Sequence, residues 1–546
     1  MALRTLYQTL LDSDVARLYV IARQWEITLT AERKPDVAAE LADAMQHADA
    51  VERVLTSLGD ADRAALDALL RRGGALPWAI FTRCWGELRA VGPGRLEREE
   101  LWRDPVSPLE KLWYLGLVQR AFTMGPAGQV EMAFVPEELR LRMPEPTPLT
   151  VSPPLPAAPP THQALGTDVL ADDLATLLAV WQMDSIRSTP PDERQAWMHV
   201  PQASTFLETL ALEQGWIRRD EQEKMRLVPE PALKWLQADN GAQWGTLVRA
   251  WMNSTRWNDL AAVPTLRPDP LRGWPAEPLS TRQAFLELLR YCAPDTWYTF
   301  ADFTAFVREQ NLDFLRTDGD YDAWAWRDAA TDKPLRGLEA WDAVEGALIA
   351  FLLSGPLAWL GLVDLGGSVP SSPPTWFRLN TAGAALLQSD VPLTLPEPPV
   401  LRLSEDGVLV IPLRRRYAHF QAHRIAQPLG WDNGYRYRLT PTSLALARQQ
   451  RITVERIVAF LEETTARSLP AYLRTAIERA YRGGEPVRLE QVWLLRTPDP
   501  TVLEQPALRR FIRESLGGGM ALIRAADRAH VLTLLAHSGI LPETDI

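Results

Sequence analysis

The chain has 546 residues, of which 46% are hydrophobic and 23% charged, a composition typical of a globular protein with several domains. Its two cysteines, Cys84 and Cys292, exclude a disulfide framework and any zinc or iron–sulfur site built from cysteines. The first residues lack the apolar core of a signal peptide, and no run approaches about 18 apolar residues, so we expect a cytoplasmic protein without membrane contacts.

The charge is unevenly distributed along the chain. The net charge is −11, but residues 401–546 contain 21 Arg against 15 Asp and Glu. This excess makes the C-terminal quarter the expected contact for an anionic partner. Ordinary scatter in the distribution of charge explains the same numbers equally well.

Three proline-rich stretches, at 144–160, 264–278 and 391–399, divide the chain. Such stretches have little to bury and are typical of extended linkers. The predicted segments are therefore a helical segment at 1–45, a unit at 46–143, a linker at 144–164, a unit at 165–262, a linker at 263–278, a unit at 279–390 and a final domain at 400–546.

Each of the three units repeats one pattern near its C-terminal end. A helix-period apolar run reaches a glycine (Gly116, Gly215 or Gly361), and two short β-like runs joined by a polar turn follow. Glycine suits the left-handed residue that ends a helix, and the two β-like runs predict a hairpin. The pattern predicts three tandem winged-helix-like units. The alternative is the helix–glycine–hairpin arrangement that any α+β domain contains.

The first segment differs from these units. An apolar stripe from Leu6 to Trp25 predicts a helix, and a second helix follows over Val37–Met45. The extended turn between them carries Arg33 and Lys34, the outline of a small nucleic-acid-binding SAP-like module. A helical hairpin packed on the next domain is the alternative.

The last segment alternates strands and helices. Residues 408–412, 435–439, 492–496 and 521–524 predict strands, and the alternation at 435–439 places Arg436 and Arg438 on one face. Residues 414–430 predict a helix, Thr440 is a good N-cap for the next, and the apolar spacing at 454–461 and Pro470 predict two more. The overall prediction is an α+β fold, mostly α, in which tandem winged-helix-like units precede a small α/β domain.

Several kinds of catalytic site are missing from the sequence. No Walker A motif, G-x-S-x-G elbow or H-E-x-x-H helix is present, so we expect no P-loop ATPase, no catalytic residues and no cofactor. His419 and His423 have metal-binding spacing but no third ligand nearby, which favours a solvated or phosphate-facing pair and no metal site. Asp318, Asp320 and Asp322 resemble the start of a calcium loop, but its later ligands are missing, so we expect a polar turn and leave cation binding open.

A basic region with interleaved aromatic residues occupies 414–438. Arginine binds phosphate in a bidentate manner and aromatic rings stack on bases, so this region predicts a nucleic-acid interface. A solvated face with ordinary core tyrosines is the alternative. The predicted nucleic-acid contacts are Arg414, Arg415, Arg416, Arg424, Arg436 and Arg438, together with Arg33 and Lys34.

The run YRYRLTPTSLALARQQRITVERIVAFLEETTARSLPAYLRTAIERAY, residues 435–481, resembles the helicase-associated domain of XPB-type DNA helicases. That domain also occurs in stand-alone bacterial proteins without the helicase motor. The resemblance covers about 140 residues at the C-terminal end, and it implies an accessory role beside DNA or a helicase. Any ATP-driven step would then belong to another polypeptide.

The sequence therefore predicts a non-enzymatic DNA-binding or helicase-accessory protein that contacts mainly phosphates and has little sequence specificity. The first alternative is a scaffold that docks a separately encoded helicase or nuclease without binding DNA itself. The second is an unrecognised nuclease that uses scattered carboxylates such as Asp318 and Asp320.

Overall fold

A computed structural model describes residues 4–125, 128–146, 151–184, 190–270, 277–322, 326–370, 372–388, 393–483 and 491–543. The chain divides into two compact units, a large unit, Met1–Arg438, and a small unit, Leu439–Ile546. Residues 147–150 and 271–276, which belong to two predicted linkers, lie outside the described residues. The fold is mixed α/β with helices predominating, as the sequence predicts.

The first part of the large unit is mainly helical. Its elements are α1 (Leu6–Asp12), α2 (Val15–Gln24), α3 (Lys34–Met45), α4 (Ala48–Thr56), α5 (Asp60–Arg71), β1 (Ala75–Pro77), α6 (Trp78–Trp85), α7 (Pro93–Glu99), α8 (Pro108–Tyr114), β2 (Gln119–Gly125), β3 (Gly128–Phe134) and α9 (Glu137–Arg140). The predicted first helix is two helices, because the chain is extended at Ser13 and Asp14. The predicted second helix corresponds to α3.

The N-terminal helices share a core with the elements that follow them. One hydrophobic cluster extends from Leu6 to Leu139. The Trp25 indole donates a hydrogen bond of 2.7 Å to the Leu115 carbonyl. Residues 1–45 are therefore packed on the next predicted unit, which agrees with the helical-hairpin alternative rather than an independent SAP-like module.

The elements between α5 and β3 have a defined order. They follow one another as helix, strand, three further helices and a hairpin, and β3 lies between β1 and β2 in an antiparallel sheet. Gly116 has a φ of 68° where α8 passes into β2, as expected for a left-handed helix end.

The second part of the large unit contains β4 (His162–Ala164), α10 (Val169–Met183), α11 (Pro191–Ala196), α12 (Ser204–Glu213), β5 (Ile217–Arg219), β6 (Met225–Leu227), α13 (Pro229–Leu236), α14 (Asn240–Met252), β7 (Leu266–Pro268), α15 (Pro278–Leu289), β8 (Trp297–Thr299), α16 (Phe300–Gln310), β9 (Trp326–Asp328), β10 (Pro334–Leu335), α17 (Ala347–Leu352), β11 (Val363–Gly367), β12 (Trp376–Leu379) and α18 (Thr381–Gln388). One hydrophobic cluster extends from Leu170 to Phe420. The predicted units at 165–262 and 279–390 therefore share a single core.

The hairpins predicted after Gly215 and Gly361 are both present. In the later one, β12 lies between β8 and β11, which repeats the strand order of the β1–β3 sheet. In the earlier one, β5 and β6 pair only with each other as far as the described residues show. Gly215 and Gly361 have φ values of 69° and 71°, so both end their helices in the left-handed region.

The described parts of the proline-rich stretches belong to the large unit and pair with its other strands or pack on its core. β4, within the predicted linker at 144–164, pairs with β11, and the Ala157 amide donates to the Trp297 carbonyl at 2.7 Å. β7, from the second predicted linker, pairs with β9. Proline lacks a backbone N–H but is tolerated at a sheet edge, so proline-rich segments can still be part of the fold.

The helical stretch Leu338–Leu357 includes α17. Among the described residues it is the one helix with the length and apolar composition of a membrane span, and 61% of its apolar stretch is buried. Its Leu348, Ile349 and Leu352 belong to the core cluster. A helix buried to this extent, with side chains in the core cluster, is typical of the core of a folded unit.

The end of the large unit forms a separate sheet with one helix. Its elements are β13 (Arg402–Leu403), β14 (Val408–Ile411), α19 (Arg416–Ile425), β15 (Gln427–Trp431) and β16 (Tyr435–Arg438), with sheet order β13-β14-β16-β15. The predicted helix at 414–430 is too long. Ala426 is extended, and the chain after it pairs with β16.

The small unit contains α20 (Pro441–Gln449), α21 (Val454–Thr465), α22 (Ala471–Tyr481), β17 (Val492–Arg496), α23 (Pro506–Arg509), β18 (Ile512–Gly517), β19 (Met520–Arg524) and α24 (Arg528–His537). Thr440 caps α20, as predicted. The sequence analysis missed β18. It also placed a domain boundary at 400, whereas residues 400–438 belong to the large unit.

Candidate nucleic-acid interface

Arg416, a predicted phosphate contact, lies inside the large unit. Its side chain is fully buried at the start of α19 and pairs with the carboxylates of Asp168, which immediately precedes α10, and Asp172, which lies in α10. The Nη2 atom lies 2.5 Å from Asp168 Oδ2 and 2.9 Å from Asp172 Oδ2, and Nη1 donates to Gln243 Oε1 at 2.8 Å. The assignment of Arg416 as a phosphate contact is therefore wrong, because its charge is compensated inside the protein.

Arg414 is bound to the same two aspartates. Its Nε and Nη2 atoms donate to Asp168 at 2.9 and 2.8 Å, and its backbone amide donates to Asp172 at 2.7 Å. Arg414 has a φ of 69°, a left-handed conformation that is unfavourable for a residue with a Cβ. The carboxylates hold this turn in place, so Arg414 is a structural ion pair rather than a free surface cation.

The two aspartates respond differently to burial. Burial acts to raise the pKa of Asp168, but hydrogen bonds from Arg414 and the charge of Arg416 outweigh it, and the pKa is lowered. Burial dominates at Asp172, whose pKa is raised. The cluster tethers the segment before α19 to the N-terminal end of α10.

Arg415 and Arg424 are both partly buried and bond to other groups of the protein. Arg415 donates to the carbonyl oxygens of Pro398 and Pro399 at 2.6 and 3.1 Å, and it pairs with exposed Glu397 at 3.0 Å. Arg424 is half-buried and donates to Gln421 Oε1 at 3.0 Å, and burial lowers its pKa. Both assignments as nucleic-acid contacts stay predictions.

Arg436 and Arg438 lie on the outer face of β16, as the alternating sequence predicts. Arg436 is exposed, and its strand neighbour Val410 separates it from Arg402, also exposed, on β13. Arg438 pairs with Asp406 at 3.3 Å. Of the basic patch predicted at 414–438, a small basic surface therefore remains on the outer face of this sheet.

Arg33 and Lys34 lie where α3 begins, far from the 414–438 region in sequence. Arg33 is exposed and Lys34 half-buried, and neither side chain makes an ion pair within the described residues. The structure leaves both available as predicted contacts.

The histidine pair on α19 is buried. His419 Nε2 lies 3.0 Å from the Thr176 hydroxyl, and Tyr437 OH lies 3.2 Å from both His419 Nδ1 and His423 Nδ1. Burial lowers the pKa of His419 well below its usual value. The expectation of a solvated or phosphate-facing pair is wrong, because the imidazoles pack between α10 and β16.

A third histidine, His199, is partly buried and was missed by the sequence analysis. His199 Nδ1 lies 2.9 Å from Asp173 Oδ1, and its ring lies 4.5 Å from the ring of half-exposed Trp431. These residues are distant in sequence and carry no shared motif. Over the described ranges, no group of three or more His, Cys, Asp or Glu side chains could hold a metal ion.

The turn at Asp318–Asp322 is stabilised by its own side chains. Asp318 Oδ1 accepts from the Asp320 amide at 3.1 Å, and Asp320 Oδ1 accepts from the Asp322 amide at 2.9 Å. The predicted polar turn is confirmed.

The small unit carries a set of arginines that the sequence analysis did not select. Their side chains are exposed, and within the described residues they make no hydrogen bond or ion pair. The members of this set, called here the small-unit arginines, are Arg451, Arg456, Arg467, Arg479, Arg496, Arg509 and Arg524. Their free guanidinium groups are available to an anionic partner.

The unit boundary at residue 438, rather than at 400, changes the charge of the C-terminal unit. Residues 439–546 contain 14 Arg against 12 Asp and Glu, so the basic excess of this part is smaller than that of residues 401–546. The case for the small unit therefore depends on its exposed arginines without a partner among the described residues, not on its net charge.

In comparisons with known proteins, no protein-family model matches the chain and no curated protein matches it.

Proposed function

We propose that the chain is a non-enzymatic DNA-binding or helicase-accessory protein, and that its phosphate contacts come mainly from the small-unit arginines. The observation that carries this proposal is the exposure of seven guanidinium groups that have no partner among the residues that the structure describes. Each arginine that neutralises a phosphate releases condensed counterions, which gives affinity without sequence specificity.

Two parts of the large unit support a winged-helix-like architecture. The segments 60–134 and 278–379 share a helix–strand–helix order that ends in a hairpin, with the last strand in the middle of the sheet. The second predicted unit, at 165–262, supports it less, because β5 and β6 have no third strand beside them among the described residues.

The helices just before these hairpins are mostly inside the protein. In α8, Leu109, Glu110 and Leu112 are fully buried, and the stretch 338–357 lies in the core. A helix that reads bases must reach into the major groove. We therefore expect these units to contribute little base recognition.

The resemblance to the XPB-type helicase-associated domain fits an accessory role. Residues 441–481 form three successive helices that begin at the capping Thr440, and a small sheet follows. We propose that any helicase motor belongs to a separately encoded partner.

A scaffold without DNA binding is the second candidate. Residues 1–438 contain 57 Asp and Glu against 44 basic residues, which opposes DNA binding by the large unit. The hairpin β2–β3 exposes Phe122 and Met124, whose exposed fractions are 62% and 73%. Apolar side chains at a hairpin tip favour a protein partner.

The proposal is tested by neutralising four small-unit arginines in the full chain, with Arg451, Arg456, Arg479 and Arg496 changed to Gln. We expect weaker binding to single- and double-stranded DNA and a smaller dependence of log affinity on log salt, by up to about 0.9 for each lost duplex contact. Fluorescence anisotropy at several salt concentrations measures both quantities.

The matched control changes four arginines of the large unit to Gln, namely Arg53, Arg218, Arg256 and Arg336, whose side chains are exposed and have no partner in the described part of the chain. The change in net charge is the same in both variants. Equal losses in the two variants would contradict the proposed location. If the unaltered protein binds neither form of DNA but co-purifies with a protein, the scaffold is favoured.

A further inference from the structure

A cavity of about 780 Å³ lies in the first part of the large unit. It is bordered by residues from α1 and α2, by the segment 88–96 and by the hairpin β2–β3. Its size is within the range of small-molecule sites in proteins. Apolar side chains, including Val91, Leu96, Trp113 and Phe122, form part of the lining.

Four arginines line this cavity, and three of them have a carboxylate partner. The pairs are Arg4 with Asp12, Arg89 with Glu110 and Arg120 with Glu131. The fourth, Arg17, has no carboxylate within ion-pair distance among the described residues. Asp14, which also lines the cavity, is not within that distance of Arg17.

Arg17 is held by neutral groups. Its side chain is 7% exposed, and it donates to Ser13 Oγ at 3.0 Å, the Trp113 carbonyl at 3.0 Å and Gln119 Oε1 at 3.2 Å. Its Nε atom has no acceptor among the residues that the structure describes. The guanidinium carbon lies 3.5 Å from the centre of a Trp113 ring, a cation–π contact.

A buried charge without a counter-charge is costly to the folded protein. Burial lowers the pKa of Arg17 to about 9, although Tyr114 and Asp14 act in the opposite direction. An anion in the cavity would supply the missing counter-charge. The bound anion would form with Arg17 the ion pair that none of the described carboxylates forms.

We infer that this cavity binds a small organic anion, a carboxylate or a phosphate monoester, whose charge is attracted to Arg17 and whose apolar body lies against the apolar lining. This inference is independent of the proposed DNA binding. It concerns a different face of a different unit, and neither result depends on the other.

Isothermal titration calorimetry of the full chain with benzoate and with phenyl phosphate tests the inference, and the separate titrations decide which anionic group is preferred. Benzamide is the uncharged control. We expect at least one anion to bind at least 10-fold more tightly than benzamide. Arg17→Gln should weaken that binding at least 10-fold, whereas Arg98→Gln, a change at an exposed arginine outside the lining, should leave it unchanged.

A second variant keeps the test valid if Arg17→Gln fails to fold. Ala90 is exposed and lines the cavity, so Ala90→Trp should occlude the space without removing a contact of Arg17, and should abolish anion binding. The inference is overturned if neither anion binds the unaltered protein, if benzamide binds equally well, or if binding survives in the folded variants.

Discussion

Three consecutive arginines have three different environments. Arg414 is held by two aspartates in a left-handed turn, Arg415 contacts carbonyl oxygens near the surface, and Arg416 is fully buried. The sequence RRR predicts a basic patch, but it contains no sign that Asp168 and Asp172, some 240 residues away, compensate two of the three charges. Tertiary contacts therefore decide which arginine remains available to a ligand.

Arg416→Met should destabilise the large unit by about 3–5 kcal/mol, because Asp168 and Asp172 would lose a buried partner. Arg415→Met, at a partly exposed side chain, should cost less than about 1 kcal/mol. Urea unfolding followed by tryptophan fluorescence measures both changes. Similar stabilities for the two variants would show that the Arg416 ion pairs are not needed.

Left-handed glycines mark the junction between helix and hairpin in all three predicted units. Their φ values are similar, but their surroundings differ. A Cβ at Gly361 would lie 2.0 Å from the Thr167 carbonyl oxygen, whereas a Cβ at Gly215 would meet no atom within 4 Å. The local requirement is visible in the sequence, and the close approach of Thr167 is visible only in the fold.

Gly215→Ala should therefore cost about 1–2 kcal/mol, the penalty for a left-handed alanine. Gly361→Ala adds a clash with backbone and should cost several kcal/mol or prevent folding. Thermal and urea unfolding of the two variants gives the comparison. Equal losses would mean that the chain near Thr167 moves aside at little cost.

At the scale of the whole molecule, proline-rich segments do not separate domains. β4 extends the sheet of the third predicted unit, and Leu393 and Leu395 from the third proline-rich stretch pack against the core. Residues 400–438 complete the large unit, because Phe420 belongs to its core and Arg416 neutralises its aspartates. Composition alone misplaced these boundaries because an extended segment can be buried through its side chains.

A chain ending at residue 438 should fold, whereas one ending at residue 399 should not. The shorter chain lacks Phe420 and leaves Asp168 and Asp172 buried without Arg416. We expect the 1–438 chain to give a cooperative thermal transition and to resist limited proteolysis. A stable, protease-resistant 1–399 chain would contradict the boundary at 438.

The sequence by itself determined the local elements of this protein. Apolar periodicity, capping residues and helix-ending glycines predicted the helices from α20 to α22, the hairpins after Gly116, Gly215 and Gly361, and the alternating faces of β16. These features depend on neighbours within a few residues. Only the tertiary structure decided which arginines are neutralised, which histidines are buried and where the two units meet in the sequence, because charge compensation and burial depend on residues brought together from distant parts of the chain.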